Sequence, residues 1–155
     1  MSYLCLDLAT QTGWAVVENG IIKASGSQSF KKKRGESNGI MFLRLHKWLD
    51  DMVQLCETTV IVVYEQAHFR GGAATELCVG MQTHTQSWCA RMGILCAPVT
   101  TSELKLHATG SGGAKKPVMI AAAAKILGRE PIDDNEADAV HIGMWAVDQF
   151  GKYQL

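Results

Sequence analysis

Three acidic residues that lie far apart in the sequence each interrupt or end an apolar segment. Asp7 lies in the run Tyr-Leu-Cys-Leu-Asp-Leu, Glu65 ends a β-branched run, and Asp138 lies early in a predicted helix. A carboxylate in apolar surroundings is costly, and three of them packed together would raise one another's pKa. Magnesium removes that conflict, because it binds carboxylate oxygens and leaves room for a substrate phosphate. The three acids therefore predict a metal site suited to phosphodiester cleavage.

The pattern of apolar residues predicts the elements that must position these acids. Strands are predicted at 2–8, 12–18, 21–27, 58–64 and 94–99. The first three form an antiparallel meander, with Asn19-Gly20 as a hairpin turn, and the β-branched run 58–64 suits a central buried strand. Helices are predicted at 39–56, 74–92, 101–107, 117–127 and from Asp133 or Asp134 to about 150. This order predicts a mixed five-stranded sheet covered by helices.

Composition restricts the class of protein. The chain has 155 residues, of which 47% are hydrophobic and 19% charged, and its formal net charge is zero, so we expect one globular domain over 1–155. No apolar run approaches the roughly 20 residues of a membrane span, and no signal peptide is recognisable. The five cysteines are scattered without C-x-x-C spacing. We expect reduced thiols in a cytosolic protein of a bacterium or a phage-infected host, with no membrane partner.

Basic residues occur in two places. Lys31 to Arg34 form a basic tetrad, and three lysines flank a glycine-rich stretch: Lys105, Lys115 and Lys116. A run of this kind is usually a solvated loop, and taken alone that interpretation is preferable to DNA binding.

Four segments in the same order resemble the RuvC family of Holliday-junction resolvases. They are Leu6-Asp7-Leu8-Ala9-Thr10-Gln11-Thr12-Gly13-Trp14-Ala15-Val16, Val63-Tyr64-Glu65-Gln66, Thr109-Gly110-Ser111-Gly112-Gly113-Ala114-Lys115-Lys116 and Glu136-Ala137-Asp138-Ala139-Val140. The resemblance covers nearly the whole chain, and the compact length and divergent details are typical of a distant member, such as a phage-type one.

The resemblance implies a ribonuclease-H-like fold, a homodimer and Mg²⁺-dependent paired nicking of four-way DNA junctions. It implies two Mg²⁺ ions, replaceable by Mn²⁺, with metal ligands at Asp7, Glu65 and Asp138. It also implies that lysines contact DNA, one of them, Lys116, near the scissile phosphate. The further candidates for DNA contact are Lys105, Lys115, Lys32, Lys33, Phe69 and Arg70.

The family pattern has a fourth acid, three residues from Asp138 on the same helix, and this chain departs from the pattern there. The positions three residues before and after Asp138 carry Asn135 and His141. On a helix, Asn135 lies about 60° from Asp138 and Asp134 about 40° on the other side. We expect Asn135 to offer a carbonyl oxygen to the metal, with Asp134 as an outer partner and His141 in the core or at the surface. Glu136 lies about 160° away and should bond back to the helix start behind an Asp133 cap.

The loop after Glu65 also departs from the pattern. The family carries aromatic residues here that can wedge into a junction, whereas this chain has His68 beside Phe69. Phe69 is therefore the candidate wedge, and Arg70 is a candidate phosphate contact. A second open question is the dimer. Helix 74–92 carries Met81, Trp88 and Gly80, which could form a symmetric interface or could simply face the core of the monomer.

Two other functions stay open at this point. The incomplete acidic set suits a non-catalytic protein that binds branched DNA. An ATP-handling domain of the actin and sugar-kinase type shares the βββ-α-β-α order, although such proteins normally contain two domains. The sequence indicates neither the preferred cleavage sequence nor the natural type of DNA branch.

Overall fold

The computed structural model of the chain describes residues 1–68 and 71–153. The strands are β1 (Ser2–Asp7), β2 (Gln11–Glu18), β3 (Ile21–Ser29), β4 (Val60–Glu65) and β5 (Leu95–Val99). The helices are α1 (Asn38–Val53), α2 (Gly72–Met92), α3 (Thr101–Thr109), α4 (Lys116–Leu127) and α5 (Asp134–Phe150), followed by a 3-10 turn at Gly151–Tyr153. The predicted elements are therefore confirmed in type and order, with ends shifted by a few residues.

The five strands form one mixed sheet in the order β3-β2-β1-β4-β5. The pairs β1–β2 and β2–β3 are antiparallel, whereas β1–β4 and β4–β5 are parallel. Asn19 and Gly20 both have positive φ, 51° and 77°, as the predicted two-residue hairpin requires. The predicted mixed sheet is confirmed.

One edge of the sheet gathers the ends of several strands. Asp7 pairs with Gly13 across β1 and β2, and Gln11 pairs with Ser29 across β2 and β3. Glu65 pairs with Val99 at the ends of the parallel strands β4 and β5. Two of the three predicted acids therefore lie at this edge, which is also where the basic segment after β3 begins.

Helices cover both faces of the sheet. Alternate residues of β1 point to opposite faces, as in any strand. Tyr3 and Cys5 pack on the side of α5, whereas Leu4 and Leu6 pack on the side of α1 and α2. Because both faces are buried, the central strands can be apolar throughout, which explains the continuous runs in the sequence.

Helix α2 packs its large side chains inside the monomer. Met81 and Trp88 are fully buried, and the Trp88 indole donates a hydrogen bond to Asp50 on α1 at 2.8 Å. A Cβ atom at Gly80 would lie 2.4 Å from the ring of Phe42. Of the two alternatives for Gly80, Met81 and Trp88, the structure therefore confirms the core of the monomer, so they cannot form the proposed dimer interface.

No helix within the described residues is long and apolar enough to cross a membrane. The five cysteines all lie in this part of the chain and are free thiols.

The contact between α1 and α2 gives a first prediction. Gly80→Ala should destabilise the protein by about 1–3 kcal/mol, because the new methyl group overlaps the Phe42 ring and the helices must separate. Urea denaturation would measure this. Gly39→Ala is the matched control, since a Cβ at Gly39 comes no closer than 3.3 Å to the Ser37 hydroxyl. It should leave stability unchanged or raise it by up to about 1 kcal/mol. Equal stability of the two variants would contradict this packing.

Candidate active site

Three carboxylates meet at the edge of the sheet where β1 and β4 end. Asp7 is the last residue of β1, Glu65 is the last residue of the neighbouring β4, and Asp138 lies in the second turn of α5. One carboxylate oxygen of each lies within 4.8 Å of the others. The structure thus brings together the three acids that the sequence selects.

Helix α5 reaches this edge because its first turn lies on a glycine of β2. A Cβ atom at Gly13 would lie 1.8 Å from the main-chain carbonyl oxygen of Asn135. No side chain fits in that space, so only glycine lets the helix rest directly on the strand. Gly13 also pairs with Asp7, so the close approach occurs beside the acids.

The cluster is electrostatically unfavourable as it stands. Burial raises the pKa of Asp7 well above its usual value, and the charges of Glu65 and Asp138 raise it further. Burial and the charge of Glu65 likewise raise the pKa of Asp138 to about 7, against the opposing effect of Lys116. Three oxygen donors that repel one another fit a hard divalent cation such as Mg²⁺. Among residues 1–68 and 71–153, no other three His, Cys, Asp or Glu side chains are close enough to share an ion.

A chain of hydrogen bonds extends from Glu65. The Thr101 hydroxyl, at the start of α3, donates to the Glu65 carboxylate, and the His68 ring contacts the same hydroxyl. Because the Thr101 hydroxyl has one proton and donates it to Glu65, the hydroxyl oxygen accepts from His68 Nε2–H. The sequence gives Thr101 only as part of a helix, so this contact could not be found without the fold.

Two cavities of different character flank the cluster. One, of about 260 Å³, lies between Asp7 and Glu65 and is otherwise lined mainly by small side chains such as Ala74 and Cys78. The other, of about 210 Å³, lies between Glu65 and Asp138 and is lined by polar and basic side chains. The polar residues there are His68, Thr101, Lys105, Lys116 and Asp134. Lys105 and Lys116 are the cationic groups of this second cavity, which they share with the carboxylates of Glu65, Asp134 and Asp138.

Asp134 and Asn135 occupy different positions. Asp134 lines the lysine-containing cavity, and Lys116 Nζ lies 2.6 Å from its carboxylate. The hydrogen bond from Lys116 lowers the pKa of Asp134. Asn135 contacts Gly13 through its main chain and lines neither cavity. His141 is buried and donates from Nε2 to the Met119 carbonyl at 2.8 Å, which places it in the core.

Glu136 does not belong to the cluster, and its carboxylate bonds to the start of its own helix. Asp133 caps the helix, accepting from the Glu136 amide at 2.8 Å. The Glu136 carboxylate accepts from the amide of Ile132, one residue before the cap, at 2.5 Å. Glu136 therefore bonds back to the start of the helix behind the Asp133 cap, as predicted, and the amide it reaches is that of Ile132.

The other candidate DNA contacts are spread along the same edge. Lys115 is exposed at the start of α4. Lys32 and Lys33 are exposed in the segment after β3, where Lys32 donates to the Asn38 side chain at 2.5 Å. Phe69 and Arg70 lie outside the described residues.

Comparison with known proteins gives a match at the level of structure. No family model matches the chain, and no curated protein matches it. A structure of RuvC from Thermus thermophilus matches with a TM-score of 0.78 and 18% sequence identity, over 99% of this chain and 96% of that chain. A structure of T. thermophilus RuvC in complex with a Holliday junction substrate matches with a TM-score of 0.78 and 18% identity, over 93% and 91% of the two chains. The chain therefore has the RuvC fold, the ribonuclease-H-like architecture that the sequence resemblance implies.

The raised pKa values predict how stability depends on pH without metal. The pKa of Asp138 is about 7 in the folded protein, against 3.8 for an ordinary aspartate. Between those pH values the folded protein holds a proton that the unfolded chain has lost, so stability should fall as pH rises. Urea denaturation in EDTA should show that Asp138→Asn removes on the order of 1–3 kcal/mol of this decline. An identical pH profile for variant and wild type would contradict the assigned pKa.

Proposed function

We propose that this chain is a metal-dependent DNA endonuclease that resolves four-way junctions by paired nicks, in a single ribonuclease-H-like domain spanning 1–155. The observation that carries the proposal is the group of three carboxylate oxygens within 4.8 Å of one another, next to a lysine-lined cavity. The RuvC fold supports it, and one of the similar structures is a complex with a Holliday junction substrate.

Asp7, Glu65 and Asp138 would hold the metal, for which we propose two Mg²⁺ ions that Mn²⁺ can replace. When bound, such ions stabilise the charge on the attacking and leaving oxygens of an in-line displacement. Each of the three carboxylates is held by a separate element of the fold, so their positions around a bound ion would be fixed. Asp134 is a better candidate than Asn135 for a fourth oxygen donor, since it lines the cavity beside Asp138.

Lys105 and Lys116 would bind the oxygens of the scissile phosphate from the other wall of that cavity. Cationic groups aimed at a phosphoryl group stabilise the charge that develops there. Lys116 is already paired with Asp134 at 2.6 Å, so an incoming phosphate and this carboxylate would share one ammonium group. Lys116 thus links phosphate binding to the fourth acid.

Outside the cavity, basic residues would position the DNA through its backbone. Lys32, Lys33 and Lys115 are exposed near the same edge, and such contacts give affinity without sequence specificity. Phe69 and Arg70 stay as proposed contacts to the branch point. A four-way junction presents two equivalent strands, so paired nicks call for a two-fold symmetric homodimer.

The central prediction concerns cleavage. Asp7→Asn and Glu65→Gln should each lower the rate of nicking of a labelled four-way junction in Mg²⁺ by at least roughly 100-fold, because each removes a ligand charge. Junction affinity in a gel-shift assay should stay within a few fold, since basic groups supply most of it. Asp148→Asn is the control: this exposed acid also lies on α5, where it pairs with His107.

The outcomes separate the alternatives. Wild-type rates in either variant would remove that acid from the site. Tight junction binding by the wild type without nicking in any divalent metal would favour a non-catalytic binding protein. Nicking that occurs equally well in EDTA would contradict the metal site.

A separate prediction distinguishes Asp134 from Asn135. Asp134→Asn should raise the Mg²⁺ concentration for half-maximal nicking by roughly 10-fold, about 1.4 kcal/mol, because an oxygen donor beside Asp138 loses its charge. Asn135→Ala should change it less than about twofold, since that side chain lines neither cavity. A magnesium titration of nicking at fixed pH measures both. The reverse order of effects would make Asn135 the fourth ligand.

A further inference from the structure

The carboxylate of Glu136 is fully buried and has four hydrogen-bond donors. At Oε1 it accepts from the Ser25 hydroxyl at 2.7 Å and from Arg129 Nη2 at 2.6 Å. At Oε2 it accepts from Arg129 Nη1 at 3.2 Å and from the Ile132 amide at 2.5 Å. Burial alone would raise the pKa of Glu136, but these bonds lower it overall.

This network ties the first turn of α5 to the sheet and to the preceding connection. Ser25 belongs to β3, Arg129 follows α4, and Ile132 immediately precedes the Asp133 cap. The same turn rests on Gly13 of β2 through the carbonyl of Asn135. Two independent contacts, one steric and one polar, thus fix the start of α5 against two neighbouring strands.

The start of α5 carries acids of the candidate site on its other side. Asp138 is two residues after Glu136 and Asp134 two residues before it, and about 160–200° of helix rotation separates each from Glu136. A shift of this turn would move both acids relative to Asp7 and Glu65. A network that holds this turn in place would therefore also hold that separation, although it does not include Asp134 or Asp138.

The pair joins a fully buried Glu136 carboxylate to an Arg129 side chain that is 47% exposed, and the start of the helix does not require it as a cap. Asp133 already caps the helix by accepting from the Glu136 amide. Apolar residues of similar volume usually replace a buried ion pair without loss of stability, whereas such pairs can specify a single arrangement. A bidentate guanidinium–carboxylate pair is suited to that role because its geometry is narrow.

We infer that Glu136, with Arg129 and Ser25, is a positioning residue that sets the geometry of the metal ligands on α5. The inference rests on the proposed function, since it concerns the same carboxylate cluster.

The test compares two ion pairs. In Glu136→Met/Arg129→Met both charges are removed together, so no buried charge is left unpaired. The matched control is Glu36→Met/Arg44→Met, which removes a bidentate pair with two 2.6 Å bonds that is not part of the cluster. Calorimetric titration of the folded, DNA-free proteins with Mn²⁺ reports metal affinity directly, and urea denaturation reports stability.

We expect the Glu136 double variant to bind Mn²⁺ roughly 3- to 10-fold more weakly than the wild type, with the control pair unchanged. Nicking at saturating metal should recover most of the wild-type rate, because the ligands themselves remain. Ser25→Ala removes one bond and should give a smaller shift of the same sign, which keeps the test decisive if the double variant does not fold.

Unchanged Mn²⁺ affinity in the folded Glu136 double variant or in Ser25→Ala would overturn the inference and leave the proposed function intact. Equal weakening in the control pair would overturn it as well, since the effect would then be general. A wild type that binds no Mn²⁺, or binds it as well after Asp7→Asn, would overturn the proposed metal site together with this inference.

Discussion

Repulsion among three carboxylates at one edge of the sheet is the constraint on which the rest of the structure depends. Asp7 and Glu65 cannot separate, because β1 and β4 are adjacent parallel strands paired along their length. Asp138 cannot move away from the other two acids, because α5 lies directly on β2 at Gly13. The fold therefore retains an unfavourable arrangement that a bound cation would relieve, and stability elsewhere must offset it. Strain of this kind is typical of a site kept for chemistry.

The orientation of helix α5 reduces part of the repulsion among the carboxylates. Its amino-terminal end faces the cluster, and the partial positive charge of a helix start favours nearby carboxylates. This explains why Asp133, Asp134, Glu136 and Asp138 can all occur in its first turns. The acids of α5 have different partners. Glu136 pairs with Arg129 and Asp134 pairs with Lys116, whereas Asp138 lies beside Asp7 and Glu65.

Local rules are sufficient to predict the strands from the sequence, and the grouping of the three acids follows from the order of four motifs that resemble those of one family. Asparagine-glycine turns and β-branched runs determine strands, and acids at the ends of adjacent parallel strands must meet. Local rules are not sufficient for contacts that join distant segments. Nothing in the helical pattern of Met81 and Trp88 distinguishes a face that packs on α1 from one that packs on a second copy. The partnership of Ser25 with Glu136, 111 residues apart, likewise depends on the finished fold.

Asp134 and Asn135 show that a helical projection cannot always identify which residue faces a site. The two residues differ by about 20° in their angular distance from Asp138, which is within the variation of real helices. What separates them is a neighbour on another element. Gly13 receives the main chain of Asn135, and Lys116 of α4 holds the side chain of Asp134 at the cavity. Which of the two residues lines the cavity beside Asp138 thus depends on β2 and α4 and not on the periodicity of α5. A site assembled from β1, β4, α3, α4 and α5 requires information about all five.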